Sequence, residues 1–324
     1  MSSSALINLA SAKLGARAIA CSDDFFAEMS RMLQDSEPVF IPGKYDDNGK
    51  WMDGWESRRK RESGHDWCIV RLAARGHVDE IEIDTRHFTG NYAPSASIEA
   101  CNSEQDIPDE ADWQPLLGVQ QLDGDHQHVY SITGGNPVTH IRLNIFPDGG
   151  VARLRVRGTP DIDWNTKDKN ETLDLAASLN GGVALACNDE HFGVMNNLLA
   201  PGRGVNMGDG WETRRRREPG YDWVIVKLGH AGKLSRVEVD TAHFKGNFPD
   251  RCSLQGIYLD DAAEDSLAAQ SLYWPVLLDE QKLSADTIHQ FELNENVGKV
   301  NYVRLNIHPD GGVSRLRLLG HIVE

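Results

Sequence analysis

The chain has 324 residues, with 33 Lys and Arg against 49 Asp and Glu, a formal net charge of −16 and five cysteines. That acidity excludes a surface built for the phosphate backbone, so no nucleic-acid partner is expected. No apolar stretch approaches the roughly 20 residues of a membrane helix, and residues 1–6, MSSSAL, lack the basic start and apolar run of a signal peptide. Only Cys21 and Cys187 fall in similar settings, I-A-C-S-D and L-A-C-N-D, so no duplicated disulfide framework is read. Reduced thiols, a cytoplasmic protein and no membrane partner are the expectation.

In chain order, a short helix is expected at Phe25–Leu33. Residues 53–61 read D-G-W-E-S-R-R-K-R and precede a strand, which places them in a loop at one end of a sheet. In Trp67–Leu72, residues 68, 70 and 72 share one face and 67, 69 and 71 the other; Ile81 and Ile83 alternate with Glu80, Glu82 and Asp84. Such alternation predicts half-buried antiparallel strands. The run H-F-T-G-N, His87–Asn91, follows, and further strands are expected at Ser97–Cys101 and Trp113–Leu117. Arg142–Phe146, the turn Pro147–Gly150 and Val151–Arg157 read as a hairpin, since Pro presets φ and Gly supplies φ > 0.

The series then recurs. D-G-W-E-T-R-R-R-R occupies 209–217, D-T-A-H-F-K-G-N at 240–247 repeats D-T-R-H-F-T-G-N at 84–91, and R-L-N-I-H-P-D-G-G-V-S-R-L-R at 304–317 repeats R-L-N-I-F-P-D-G-G-V-A-R-L-R at 142–155. The second copy brings a helix expected at His191–Leu199, strands at Trp223–Leu228, Ser253–Ile257 and Trp274–Leu278, and a second hairpin over Arg304–Leu318. The chain is an internal duplication. Its expected fold class is all-β, two tandem antiparallel β-sandwiches at 1–160 and 173–324 with a linker at 161–172.

Polar residues kept in both copies nominate a site. A guanidinium fork can hold a carboxylate bidentately, which nominates Arg58, Arg59, Arg214 and Arg215, with Asp53 and Asp209 beside them. Glu56 and Glu212 can act as acid or base, or position an arginine. His87 and His243 at strand ends suit proton transfer near neutral pH. Asn91 and Asn247 offer donor and acceptor to an amide-like ligand. Asn144, Arg153, Asn306 and Arg315 lie on the polar phase of their strands with Arg142, Arg155, Arg304 and Arg317. On one shared face these would be strongly cationic and call for an anion or for carboxylates. The bland alternative is structural: an Asp-Gly turn beside a solvated Arg run, a His bonded to backbone, arginines paired with the plentiful Asp and Glu. Asp84 with His87, or Asp240 with His243, is a two-ligand pair that a divalent cation could use. No stronger metal motif is present, and the metal and cofactor question stays open.

D-G-W-E-x-R-R-x-R, D-T-x-H-F-x-G-N and R-L-N-I-x-P-D-G-G-V-x-R-L-R, each present twice across nearly the whole chain, resemble the allantoicase family. Trp-x-Ile-Val-x-Leu also resembles discoidin-like, galactose-binding-type jelly rolls. The resemblance implies two jelly-roll sandwiches, a homo-oligomer, and hydrolysis of allantoate to ureidoglycolate and urea in purine (allantoin) degradation. The carboxylate of allantoate suits an Arg fork, and its ureido groups suit Asn, Asp and backbone partners. Loss of urea needs a proton on the departing nitrogen and a base for water; His87 or His243 is expected in one role and Glu56 or Glu212 in the other. The product carbon is chiral, so the copies cannot be equivalent within one site. They differ at Arg86 and Ala242, Thr89 and Lys245, Phe146 and His308, His65 and Tyr221. Either one copy is catalytic or a single site lies between them, and the added ionisable groups His308 and Lys245 favour the second copy. A tandem β-sandwich module that binds carbohydrate or another polar ligand without catalysis is the competing class.

Overall fold

A computed structural model describes residues 6–260 and 262–323. They form two compact units, one spanning Leu6–Asp161 and one running from Ile162 onward. Each is an antiparallel β-sandwich. The first contains β1 (Arg17–Cys21), β2 (Asp66–Asp84), β3 (Ser95–Cys101), β4 (Gln114–Gln121), β5 (Gln127–Ser131), β6 (Val138–Phe146) and β7 (Arg153–Pro160). The second repeats them as β8 (Val183–Cys187), β9 (Asp222–Asp240), β10 (Arg251–Ile257), β11 (Val276–Lys282), β12 (Ile288–Glu292), β13 (Lys299–His308) and β14 (Arg315–Ile322), with a helix α1 (Glu264–Gln270) between β10 and β11.

The two expected strand segments at 67–72 and 81–84 are one strand. β2 runs for 19 residues and serves both layers. Its first half pairs with β6, Leu143 opposite Cys68, and with β1, Ala18 opposite Val70. Its second half pairs with β7, Leu154 opposite Ile83, and with β5, Tyr130 opposite Ile81. β3 and β4 extend the first layer beyond β6. The strand changes layer around Gly76, where a Cβ would lie 2.6 Å from the Thr159 carbonyl oxygen. Only glycine fits so close an approach. β9 repeats the design, with Gly232 against the His321 carbonyl at 2.7 Å.

The expected hairpins do not form. β6 and β7 both pair with β2, on different halves of it, as β13 and β14 do with β9. The Pro-Asp-Gly-Gly turn instead carries the chain between layers, and Gly150–Val151 pairs with Trp55–Glu56. Both X-Pro bonds at its start, Phe146–Pro147 and His308–Pro309, are cis. Arg142 and Asn144 therefore lie on a different layer from Arg153 and Arg155, and the shared cationic face does not exist. The helices expected at Phe25–Leu33 and His191–Leu199 shrink to 3-10 turns at Met29–Leu33 and Met195–Leu199.

Inward alternation builds each core. Cys68, Val70, Ile81, Ile83, Leu143, Ile145, Leu154 and Val156 pack together in the first unit, as Val224, Val226, Val237, Val239, Leu305, Ile307, Leu316 and Leu318 do in the second. Trp55 and Trp211 sit fully buried in these cores, with their indole N–H groups donated at 2.8 Å to the carbonyls of Asp23 and Asp189. Trp164, within the stretch expected as linker, packs on the second core. All five cysteines are free thiols. No helix among the described residues is long and apolar enough to cross a membrane.

Candidate active site

Each buried Trp fixes the glutamate that follows it, because adjacent strand residues face opposite ways. Trp55 points into the core, and Glu56 turns out at the loop end of the sandwich. The Asn91 carbonyl accepts Gly150 N–H at 2.8 Å, which holds its side chain in place to donate Nδ2 to Glu56 Oε1 at 2.7 Å. The second unit repeats this: Gly312 N–H reaches the Asn247 carbonyl at 2.8 Å, and the Asn247 amide donates to Glu212. Burial pushes the Glu56 carboxyl above its ordinary value, against the opposing effect of the Asn91 bond.

A cleft of about 590 Å³ surrounds Glu56, lined by Phe26, Arg59, Lys60, Asn91 and Asp148. That is within the roughly 300–1,000 Å³ of small-molecule sites. Arg59 is exposed on its rim, and no carboxylate among the described residues pairs with it. Arg215 occupies the matching position, in a run Arg214–Arg217 that lines a cleft of about 260 Å³. The neighbouring arginines are committed: Arg58 Nε donates to Asp23 Oδ2 at 2.7 Å, and Arg214 Nε lies 3.2 Å from Asp189 Oδ2. Lys60 and Arg216 tie to Asp66 and Asp222 at 2.7 and 3.1 Å.

Other nominated residues hold the fold. Arg153 is fully buried, and its guanidinium donates to the Ser36 carbonyl at 2.8 Å, the Asp53 carbonyl at 2.9 Å and Asp53 Oδ2 at 2.7 Å. Arg315 likewise meets Asp209 Oδ2 at 2.7 Å. These arginines clamp the loop that carries the D-G-W-E motif, so Asp53, Arg153, Asp209 and Arg315 position Glu56 and Glu212 and are not free to bind a ligand. His87 and His243 adopt left-handed backbone, φ 69° in both, with their N–H groups held at 2.8 Å by Asp125 and Asp286. Their Nε2 atoms donate to the carbonyls of Pro38 at 3.0 Å and Gly204 at 2.7 Å. A carbonyl only accepts, so each Nε2 donates, which fixes the ring and leaves Nδ1 as its acceptor nitrogen. Asp84 is forked by Arg86 and Asp240 is met by Arg203, so neither Asp–His pair is poised for a cation. Among the described residues no group of three His, Cys, Asp or Glu converges.

Asn144 and Asn306 lie elsewhere, on the outer face of the first layer. Asn144 Nδ2 donates to Glu99 Oε2 at 2.8 Å, and its Oδ1 faces His65 Nε2 at 3.2 Å. Asn306 Nδ2 donates to Gln255 Oε1 at 3.1 Å. The sequence-based nominations thus separate into a loop-end cleft and a sheet face. Glu99 and Gln255 were not nominated, although S-I-E at 97–99 against S-L-Q at 253–255 was a visible mismatch.

A family model described as allantoicase repeat matches residues 7–161 and again 173–323. The chain is 56% identical over 318 residues to "Probable allantoicase 2" of Burkholderia pseudomallei, covering 98% of this chain and 95% of that protein. It is 55% identical to "Probable allantoicase" of Photobacterium profundum, covering 97% and 96%. A crystal structure of allantoicase from Saccharomyces cerevisiae superimposes with TM-score 0.82 at 34% identity, covering 98% of this chain and 93% of that one.

Proposed function

The chain belongs to the allantoicase family and is a hydrolase of allantoate, releasing ureidoglycolate and urea in purine degradation; we propose that the loop ends carrying Glu56–Asn91 and Glu212–Asn247 perform the chemistry. The observation that supports this placement is the glutamate–asparagine pair built twice, in the first unit within a cleft also lined by Arg59, which no described carboxylate neutralises. Arg59 or Arg215 would hold the substrate carboxylate as a fork. The Asn carbonyl would accept a ureido N–H while its amide orients the glutamate.

Burial raises the proton affinity of Glu56, which suits it to act first as an acid. Its proton goes to the departing ureido nitrogen as the C–N bond breaks and that nitrogen keeps the electron pair, giving urea. The carboxylate left behind takes a proton from water as the water oxygen bonds to the central carbon, giving ureidoglycolate. One glutamate therefore covers both roles that were expected to be split with His87 or His243.

Urea release from allantoate by Glu56→Gln, Glu212→Gln and the double variant tests the placement. The double variant is expected to lose about 10²–10⁴-fold in kcat, and the single variants show which unit turns over. A double variant that folds normally and keeps full turnover sinks the assignment. A parallel assay with chelator reports any metal requirement. The free thiols support a reducing, cytoplasmic setting. A homo-oligomer is the assembly the family implies, and sedimentation across a concentration range tests it.

A further inference from the structure

The two units differ in length at the segment that leads into D-G-W-E. In the first, residues 34–52 separate Leu33 from Asp53; in the second, residues 200–208 separate Leu199 from Asp209, so the first unit carries ten extra residues there. The start of the longer segment is tied down residue by residue. Arg153 Nε donates to the Ser36 carbonyl at 2.8 Å, His87 Nε2 to the Pro38 carbonyl at 3.0 Å, and the Val39 N–H donates to Asp53 Oδ2 at 2.9 Å. The chain then turns back on itself, with Tyr45–Asp46 paired to Gly49–Lys50. This short hairpin lies against one wall of the Glu56 cleft. Asn48 Nδ2 donates to the Phe25 carbonyl at 2.8 Å, and a Cβ at Gly49 would meet the Phe26 ring at 3.9 Å. Phe26 lines the cleft. It is half-buried beside the hairpin, whereas its counterpart Phe192, in the unit that lacks the hairpin, is 62% exposed.

The hairpin also brings the charges of Lys50 and Asp46 near enough to act on the Glu56 carboxyl. Lys50 is exposed and forms no ion pair among the described residues. Its ammonium lies 4.5 Å from the Phe40 ring centroid, and Phe40 in turn stacks on His87 with the centroids 6.2 Å apart. An ammonium seated on an aromatic face keeps its full charge, and its four-carbon stem lets it swing to a nearby anion. We propose that Lys50 is a specificity-determining residue of the Glu56 site, its ammonium meeting the carboxylate of allantoate at the hairpin side of the cleft, together with Arg59 on the rim. This rests on Glu56 being the hydrolytic carboxyl and adds a residue that selects the anion there. Phe40 is then a positioning residue that seats the lysine, and His87 supports it from below. In the second unit the shorter segment 200–208 has one cation, Arg203, and that is committed to Asp240 at 3.1 Å.

Steady-state urea release from allantoate by the full chain is the test. Lys50→Gln should raise KM about tenfold, the loss of one charge-assisted contact. Its kcat should stay within about twofold, because a contact to the unreacting carboxylate holds substrate and transition state alike. Lys50→Arg should restore most of the wild-type KM, and Lys50→Glu should raise KM beyond the Gln variant. Phe40→Leu removes the aromatic seat and should raise KM about twofold. Lys44→Gln removes the neighbouring lysine, which sits 3.6 Å over Trp51, and should leave both constants unchanged. Lys50 is exposed, so its variants are expected to fold as the wild type does. An unchanged KM in Lys50→Gln, a loss confined to kcat, or an equal rise in KM from Lys44→Gln overturns the proposal. Glu56→Gln assayed alongside keeps the two readings apart. Inactive Glu56→Gln with unaltered Lys50→Gln refutes Lys50 alone, whereas Glu56→Gln at full turnover removes Glu56 as the hydrolytic carboxyl and the role of Lys50 with it.

Discussion

Asp84 and Asp240 end the long strands of the two units, and both are almost fully buried. In the first unit Arg86, two residues on, forks onto Asp84, with Nε at 2.9 Å and Nη2 at 2.6 Å from Oδ2. In the second unit that position is Ala242, and Arg203 reaches in from the preceding loop, at 3.1 and 3.4 Å. The next layer of contacts diverges too. Arg155 meets Glu82 Oε1 at 2.7 Å, whereas its counterpart Arg317 donates to the carbonyls of Ala200 and Gly202 at 2.7 and 2.8 Å. Burial dictates that a charge be answered, but not by which residue. Duplicated positions that agree mark shared architecture, and those that disagree mark where each unit found its own solution.

The largest effect expected is at the arginine clamps. Arg153→Met leaves Asp53 buried without its cation and should cost about 3–5 kcal/mol. Arg315→Met should cost less, because Arg315 Nε is buried without a partner whereas Arg153 Nε holds the Ser36 carbonyl. Urea unfolding followed by Trp fluorescence checks both, and equal losses would break the contrast between units. Next comes Arg86→Ala, about 1–3 kcal/mol for charge-assisted bonds to a buried carboxylate, against less than about 1 kcal/mol for the more exposed Arg203→Ala. Adding Ala242→Arg to Arg203→Ala should restore the loss if the two solutions are interchangeable. The smallest effect concerns pH. The folded-state pKa of Glu56 is raised, so its contribution favours the fold below its ordinary pKa and is lost as pH rises through the raised value. Glu56→Gln should therefore gain stability relative to wild type on going from acid to neutral pH. Urea midpoints across that range read the sign, and a parallel shift of both proteins would contradict it.

Repetition and alternation made the two sandwiches legible, because residues such as Val70, Ile81 and Ile83 declare their face by period alone. Alternation does not declare a partner. Leu143 and Leu154 look like the two sides of a hairpin, yet each pairs with a different half of β2. Glu56 and Asn91 each stand out because both copies keep them, but nothing local shows that they touch across 35 positions of chain. The burial of Arg153 is hidden for the same reason: its acceptors Ser36 and Asp53 lie 117 and 100 residues away. Nor does the sequence show the Pro38 carbonyl that takes the His87 Nε2 hydrogen bond, 49 residues away.

The single strand shared by both layers has a further consequence for how a unit comes apart. Neither layer can open alone, since its central ladder is the same strand that holds the other. Slow amide hydrogen exchange at Val70 in one half of β2 and at Ile83 in the other should thus report one common opening free energy, so that each sandwich behaves as a single cooperative block rather than as two sheets that fray separately.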